Sequence, residues 1–191
     1  VNRYAFLFNE YIGNKYVYLP ELSLRYTGQK TFQFDNSHKT IALYLGGENK
    51  EFRKYPDEYA VQLLRLLNRQ GYNLLLIGDE NDNIKHTQYA EEARIDHLIN
   101  LTARTTIEGF INTIANVDLI ITIDSSALHI AAAVKTPFIA LMGLSTSPTS
   151  TILPKVPLGR ILKIENNLIR EEDYIRNITP DLILKTISEL I

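Results

Sequence analysis

The chain has 191 residues, with 20 Lys plus Arg set against 22 Asp plus Glu for a formal net charge of −2, which gives no support to a nucleic-acid surface or a polybasic membrane patch. Hydrophobic residues make up 45% and charged residues 22%, the balance of one ordinary globular domain with room for an extension. There is no Cys, so disulfides, thiolate metal sites and Cys nucleophiles are excluded.

Residues 1–36 hold many of the tyrosines and are punctuated by Pro20; their weak periodicity predicts a short helix near the start, then an extended or looped segment. From there the pattern becomes regular. "TIALYLGG" (40–47) predicts a strand closed by a glycine turn. "YPDEYAVQLLRLLNRQG" (55–71) predicts a helix, with Ala60, Leu63, Leu64 and Leu67 on one face, Pro56 in its first turn and Gly71 at its end. "YNLLLIGDE" (72–80) reads as a strand buried on both faces. A polar helix at about 83–93 and a short strand "HLINL" (97–101) follow. "TTIEGFINTIANVD" (105–118) predicts a helix in which Thr105 and Glu108 have capping-box spacing and Ile107, Phe110, Ile111 and Ile114 form the apolar stripe. "DLIITI" (118–123), "SALHIAAAV" (126–134) and "PFIALMG" (137–143) read as strand, helix and strand. After a loop with Pro148 and Pro154, "GRILKIE" (159–165) predicts a strand, and "TPDLILKTISELI" (179–191) a helix with Thr179 as N-cap and Pro180 at its first position.

Strands alternating with amphipathic helices imply an α/β fold: a Rossmann-like parallel sheet with helices on both faces. Ligands of such sheets bind outside the carboxyl ends of the strands. Gly46-Gly47, Gly78-Asp79, Asp124-Ser125-Ser126 and Gly143 all stand at such ends. Asp124-Ser125-Ser126 marks the handover from a buried strand to a helix, where free N–H groups and partial positive charge can hold a phosphate. His129 lies about one turn further on, and Ala131, Ala132 and Ala133 let the helix approach the sheet closely. A plain helix cap with a packed His129 accounts for the same residues. The loop "LGGENKEFRKYP" (45–56) adds glycines followed by Lys50, Arg53 and Lys54, a setting that suits a diphosphate; its plain alternative is a turn with solvated basic residues. Asp79, Glu80 and Asp82 read as a solvated acidic loop.

Other chemistries find no motif. There is no GxxxxGK loop, "LGGENK" is not GxGxxG, and neither Ser125 nor Ser126 sits in a GxSxG elbow. The four histidines, 38, 86, 97 and 129, lack zinc-site spacing. No apolar run reaches the length of a membrane span and no signal peptide is visible, so the expected location is cytoplasmic, at most peripheral at the inner membrane surface. The single Met is Met142, so the chain opens at Val1 as a processed protein or a fragment would.

Four segments, in order, resemble the second half of glycosyltransferase family 9, the ADP-heptose:lipopolysaccharide heptosyltransferases. "LGGENKEFRKYP" is similar to the family's Pro-Gly-Ala loop followed by Lys-Arg-Trp-Pro, with Gly47 at the loop glycine, Arg53 at the phosphate-binding lysine and Tyr55 at the tryptophan. "LLLIGDEND" looks like its second strand and glycine-rich end. "NLTARTTIEGFINTIANVDLIITIDSS" looks like its Asn-Leu-Ala-Gly-Arg-Thr segment, helix and following strand. "DSSALHIAAAVKTPFIALMG" resembles the most specific motif, Asp-Thr-Gly-x-x-His-x-Ala-Ala-Ala with its later proline and Ala-Leu-Phe-Gly. The likeness covers roughly 40–148, and 1–36 looks more loosely like the crossing into the second half.

The resemblance implies the C-terminal domain of a GT-B-type transferase: residues 1–36 a linker or interdomain segment, and 37–191 a Rossmann-like nucleotide-sugar-binding domain. It implies that Gly47, Glu48, Asn49 and Arg53 face Asp124, Ser125, Ser126 and His129 across the donor pocket. No metal and no cofactor are expected beyond a nucleoside-diphosphate sugar such as ADP-heptose. The acceptor is a glycan or lipid-linked molecule of lipopolysaccharide type, and transfer is inverting. The family's catalytic base lies in the N-terminal half, so none is expected in this chain, and a missing half or a partner chain would supply it. Ser126 and Ala103 replace family glycines, Arg53 a lysine, and Gly143-Leu144-Ser145 the family's Gly-Pro-Thr ahead of a loop to Pro148 that is one residue longer. The alternative is a non-catalytic module derived from such an enzyme, kept for ligand sensing or assembly; an unrelated nucleotide-binding domain, such as half of an epimerase, is a third reading.

Overall fold

In a computed structural model, residues 24–35, 37–46, 54–143, 157–163 and 171–191 are described. The helix expected near the start therefore lies outside them. Residues 24–35 form no helix or strand, matching the extended or looped segment expected there.

Six strands form one parallel sheet: β1 (Thr40–Tyr44), β2 (Asn73–Leu76), β3 (Leu98–Asn100), β4 (Leu119–Ile123), β5 (Phe138–Leu141) and β6 (Gly159–Leu162), in the spatial order β3-β2-β1-β4-β5-β6. Every residue of β1, β2, β4 and β5 is buried, because parallel strands carry helices on both faces and their sequences are apolar almost throughout. The outer strands β3 and β6 are less covered.

Between the strands run α1 (Asp57–Arg69), α2 (Asn83–Ala93), α3 (Ile107–Ala115) and α4 (Ser126–Val134), with α5 (Pro180–Ile187) near the end of the chain. α1 packs on both α2 and α5, while α3 packs on α4. Right-handed crossovers place these two groups on opposite faces, since the chain steps outward from β1 to β3 and then reverses from β4 to β6.

The helix ends follow from local chemistry. Thr179 caps α5 through its hydroxyl and Pro180 opens it, as the sequence predicts. Gly71 follows α1 at φ +81°, a left-handed turn that glycine adopts without a Cβ penalty. Two expectations shift by a residue. Pro56 is the N-cap of α1 and not part of its first turn; its carbonyl accepts the Ala60 N–H at 2.9 Å. The cap of α3 is Thr106, not Thr105: the turn after β3 uses Thr102 to Arg104, closed by Arg104 N–H to Leu101 C=O at 3.0 Å, and the Thr106 hydroxyl then accepts the Gly109 N–H at 3.1 Å.

The segment ahead of β1 is tied to α3. Asn112 accepts the Gly28 N–H at 3.1 Å through its side-chain oxygen and donates to the Thr27 hydroxyl at 2.8 Å, and the Thr31 and Thr113 hydroxyls meet at 2.6 Å. At the other end of the chain, Ile175, Ile178, Ile183 and Ile187 are buried in the same core as the strands. A 3₁₀ turn, Glu171–Asn177, precedes α5 where the sequence predicts no element.

Candidate functional site

The sheet reverses its winding between β1 and β4. The connections that leave those two strands turn to opposite faces of the sheet, and ligands of open α/β sheets bind in the crevice outside the strand ends at such a point. Tyr44 is in register with Thr122, so two residues further on Gly46 and Asp124 stand at the same level on either side of it.

On the β4 side, Asp124 and Ser125 are half-buried while Ser126 and His129 are exposed. Ser125 is the N-cap of α4: its backbone is extended at φ −145°, and its hydroxyl accepts the Ala127 N–H at 3.2 Å. The same hydroxyl lies 2.9 Å from that of Thr122, which is fully buried in β4. The alanines behave as expected. Ala131, Ala132 and Ala133 are buried and bring α4 close to the sheet. Asp124, Ser125, Ser126 and His129 are thus gathered on one strand-to-helix junction. The first of them continues β4, and His129 stands one turn into the helix.

On the β1 side, Gly47, Glu48, Asn49, Lys50 and Arg53 lie outside the described residues. The residues that flank them are joined, with the Tyr55 N–H donating to the Leu45 carbonyl at 3.4 Å. Tyr55 is buried, and its hydroxyl donates to the Ile178 carbonyl at 2.8 Å, just ahead of α5. Burial, with the charges of Tyr59 and Asp181 adding to it, pushes the Tyr55 phenol far above its ordinary value, so it serves as a donor throughout the physiological range.

Between the ends of β1 and β2 the structure places a group that the sequence reading left in solvent. Asp79 and Glu80 are exposed as expected, but Asp82 is 3% exposed. A Cβ on Gly46 would overlap its carboxylate, and one on Gly78 would lie 2.8 Å from Oδ2. The two strand-end glycines therefore make room for a carboxylate, and Asp82 holds its place there by accepting the Asp79 N–H at 3.2 Å in a reciprocal capping box. The signal for it was the S/T/D-x-x-D/E spacing of Asp79 and Asp82 directly behind a strand-end glycine.

Next to Asp82, His86 is fully buried, and its Nδ1 lies 2.7 Å from the Thr102 hydroxyl at the end of β3. Its Nε2 is the one buried side-chain polar atom without a partner among the described residues. Burial lowers the His86 pKa to about 4 against a smaller upward pull from Asp79, so the ring is neutral at pH 7. A bare ring nitrogen costs less to bury than an unpaired N–H, which assigns the proton to Nδ1 and makes His86 the donor to Thr102.

The first turns of α1 and α2 are linked beside the same edge. Asp57 receives Lys85 Nζ and the Tyr89 hydroxyl, each at 2.5 Å. Burial raises the Asp57 pKa, but the hydrogen bonds from Lys85 and Tyr89 and the charges of Lys85 and Lys54 outweigh it and hold the carboxyl below its ordinary value. Among the described residues no three His, Asp or Glu side chains converge as a metal site, and no helix is long and apolar enough to cross a membrane.

Comparisons to known proteins bear on the family and the fold. The family model for glycosyltransferase family 9 (heptosyltransferase) matches residues 1–172, a longer stretch than the motifs alone mark. Lipooligosaccharide heptosyltransferase 2 of Haemophilus influenzae is 31% identical over 158 residues, covering 76% of this chain and 45% of that one. The structure of Escherichia coli ADP-heptose LPS heptosyltransferase II shares the fold with a TM-score of 0.69 at 24% identity, over 80% of this chain and 46% of that one. A family 9 glycosyltransferase from Veillonella parvula shares it with a TM-score of 0.68 at 18% identity, over 99% and 50%. The chain spans about half the length of the relatives it matches. With a family match over most of its length and a sheet of the same architecture, the chain belongs to glycosyltransferase family 9.

Proposed function

We propose that this chain is the donor-binding half of a family 9 glycosyltransferase and holds the diphosphate of a nucleotide sugar in the crevice between β1 and β4. The observation that carries this reading is the level placement of Gly46 and Asp124 across the topological switch point, with the N-terminus of α4 opening beside them. A diphosphate there meets the Ser126 N–H, which has no partner within the helix, and the positive end of the helix dipole. Ser126 and His129, both exposed on the first turn of α4, supply further polar contacts. Gly47, Glu48, Asn49 and Arg53 supply the facing loop, with Arg53 as the cation.

In the reaction this reading assigns, a base outside the chain removes the proton of an acceptor hydroxyl. The acceptor oxygen attacks the anomeric carbon from the face opposite the diphosphate. The bond from that carbon to the diphosphate oxygen breaks, the nucleoside diphosphate leaves with the electron pair, and the configuration inverts. The work of this half is to bind and orient the donor and to stabilise the charge that develops on the leaving phosphate. The E. coli neighbour is an ADP-heptose enzyme, which makes ADP the first diphosphate to try and a heptose the first sugar.

The test is calorimetric titration of the chain with ADP, UDP, GDP and ADP-heptose, without added metal, on the native chain and on Arg53→Ala and His129→Ala. One diphosphate should bind, and each substitution should weaken it by roughly tenfold, the scale of one lost charge-assisted contact. Binding that neither substitution changes would place the ligand elsewhere and sink this reading.

A further inference from the structure

We propose that Thr122 is a positioning residue for the donor site: it locks Ser125 as the cap of α4, so that the hydroxyl offered to the diphosphate is that of Ser126. The proposal rests on the donor-site reading above and follows from counting protons.

Thr122 stands among Leu119, Ile120, Ile121 and Ile123, all buried and apolar, in a strand that has no need of a hydroxyl for its packing. A hydroxyl buried there must find partners, and it has two. Its Oγ1 lies 3.0 Å from the Ile123 carbonyl and 2.9 Å from Ser125 Oγ. A carbonyl can only accept, so the one proton of Thr122 goes to Ile123. Thr122 must then accept from Ser125, which commits the one proton of Ser125. The Ser125 oxygen in turn accepts the Ala127 N–H at 3.2 Å. The chain of bonds runs from Ala127 N–H through Ser125 and Thr122 to the Ile123 carbonyl, and no hydroxyl proton in it is left over.

Ser125 therefore has no proton to give a phosphate. Its task is to hold the first turn of α4, and Thr122 fixes the rotamer in which it does so. Ser126 differs. It is exposed at the first position of the helix, where the backbone N–H has no partner within the helix. Its N–H and its O–H are both available to an anion. The serine that replaces a family glycine at this place thus adds a donor to the site.

The experiment combines two readouts on Thr122→Val, Thr122→Ser, Ser125→Ala, the Thr122→Val/Ser125→Ala double variant and Ser126→Ala. The first is ADP affinity by calorimetry. Thr122→Val keeps the shape of the buried side chain and removes its hydroxyl, so Ser125 loses its rotamer and the helix N–H groups lose their aim. Affinity should fall about fivefold in Thr122→Val and in Ser125→Ala, no further in the double variant, and return in Thr122→Ser. Ser126→Ala should lower affinity independently, multiplying with Thr122→Val. The second readout is hydrogen exchange of the Ala127 amide without ligand, which should speed up in Thr122→Val and Ser125→Ala and be restored in Thr122→Ser. Native affinity in Thr122→Val, or losses that multiply in the double variant, would overturn the proposal. Should the native chain bind no nucleoside diphosphate, the donor-site reading fails; native exchange of Ala127 in Thr122→Val would then overturn the clamp as well, and faster exchange would uphold it.

Discussion

The two sides of the crevice are built on opposite plans. On the β1 side the strand ends are glycines, and the polar groups behind them are buried: the Asp82 carboxylate against Gly46 and Gly78, and the His86 ring against Thr102. On the β4 side the polar groups stand forward. Ser125 caps a helix whose first turn shows Ser126 and His129 to solvent. The first side depends on close packing around buried polar atoms, where small changes are costly. The second is a capped helix end, which tolerates change in its exposed residues. Among the described residues, close packing around buried polar groups thus lies on one side of the crevice and exposed polar groups on the other.

The sharpest way to break this contrast is to make one small substitution on each side. Gly46→Ala drives a Cβ into the Asp82 carboxylate, which is backed by buried structure and cannot retreat freely. The expected loss is about 3 kcal/mol in urea denaturation, the range for overpacking combined with a displaced buried polar group. Asp82→Ala in the same chain should recover part of it. Ser126→Ala on the other side should change stability by less than about 0.5 kcal/mol, as exposed substitutions do. Similar costs on both sides would remove the division.

Acid distinguishes the sides next. His86 has a pKa of about 4 in the folded chain against an ordinary value of 6.5, so between those two values the unfolded chain binds more protons. Stability then falls as pH falls through that window, and the contribution present above pH 6.5 is lost by about pH 4. At 1.36 kcal/mol per pKa unit this contribution approaches roughly 3 kcal/mol. Urea midpoints measured from pH 7 to pH 4 should show the slope. Replacing both partners, with His86→Phe and Thr102→Val, should flatten it, because no buried polar group is then left unpaired. An unchanged slope in the double variant would assign the acid sensitivity to other groups.

Which of these features could be read in the sequence depends on the range of the interaction behind it. The sheet was legible because strands buried on both faces announce themselves as apolar runs, such as "NLLL" and "LIITI". The helix at 126–134 and the Thr179 cap were legible because capping is settled within four residues, while the sequence left the cap of 126–134 open between Asp124 and Ser125. Asp82 was legible only in part: its spacing from Asp79 marks the capping box, but its burial needs Gly46 and Gly78 to meet from two different strands, and a run of acidic residues in isolation looks like a solvated loop. The Thr122 link to Ser125 was hidden as well, since threonine in a strand is ordinary β-former composition. His86 had a local signal that went unread: with Tyr89 and Ala93 it makes a stripe at helical spacing on an otherwise polar helix, and all three are buried.

The smallest expected effect tests how far the β1 side has adapted to a residue that does not suit its backbone. Ala103 lies at φ +60°, in the left-handed region where a Cβ costs about 1 kcal/mol, and its N–H donates to the Gly78 carbonyl at 3.1 Å. That bond ties the β3–α3 turn to the end of β2, so the turn cannot relax to a cheaper conformation without losing it. Ala103→Gly would relieve the strain, yet glycine also widens the unfolded ensemble by about 0.4–1 kcal/mol. The methyl is exposed, so no buried contact is lost. The two effects nearly cancel, and the expected net gain is about 0.5 kcal/mol or less. Arg94 and Lys135 share the left-handed conformation, but each ends a helix, α2 and α4, where such a residue closes the last turn. Arg94→Gly and Lys135→Gly therefore serve as controls, with similarly small gains expected in urea midpoints. A loss above about 1 kcal/mol at Ala103 alone would mean that its methyl restrains the turn, and the rigidity of the β1 side would then extend to its solvent-facing rim.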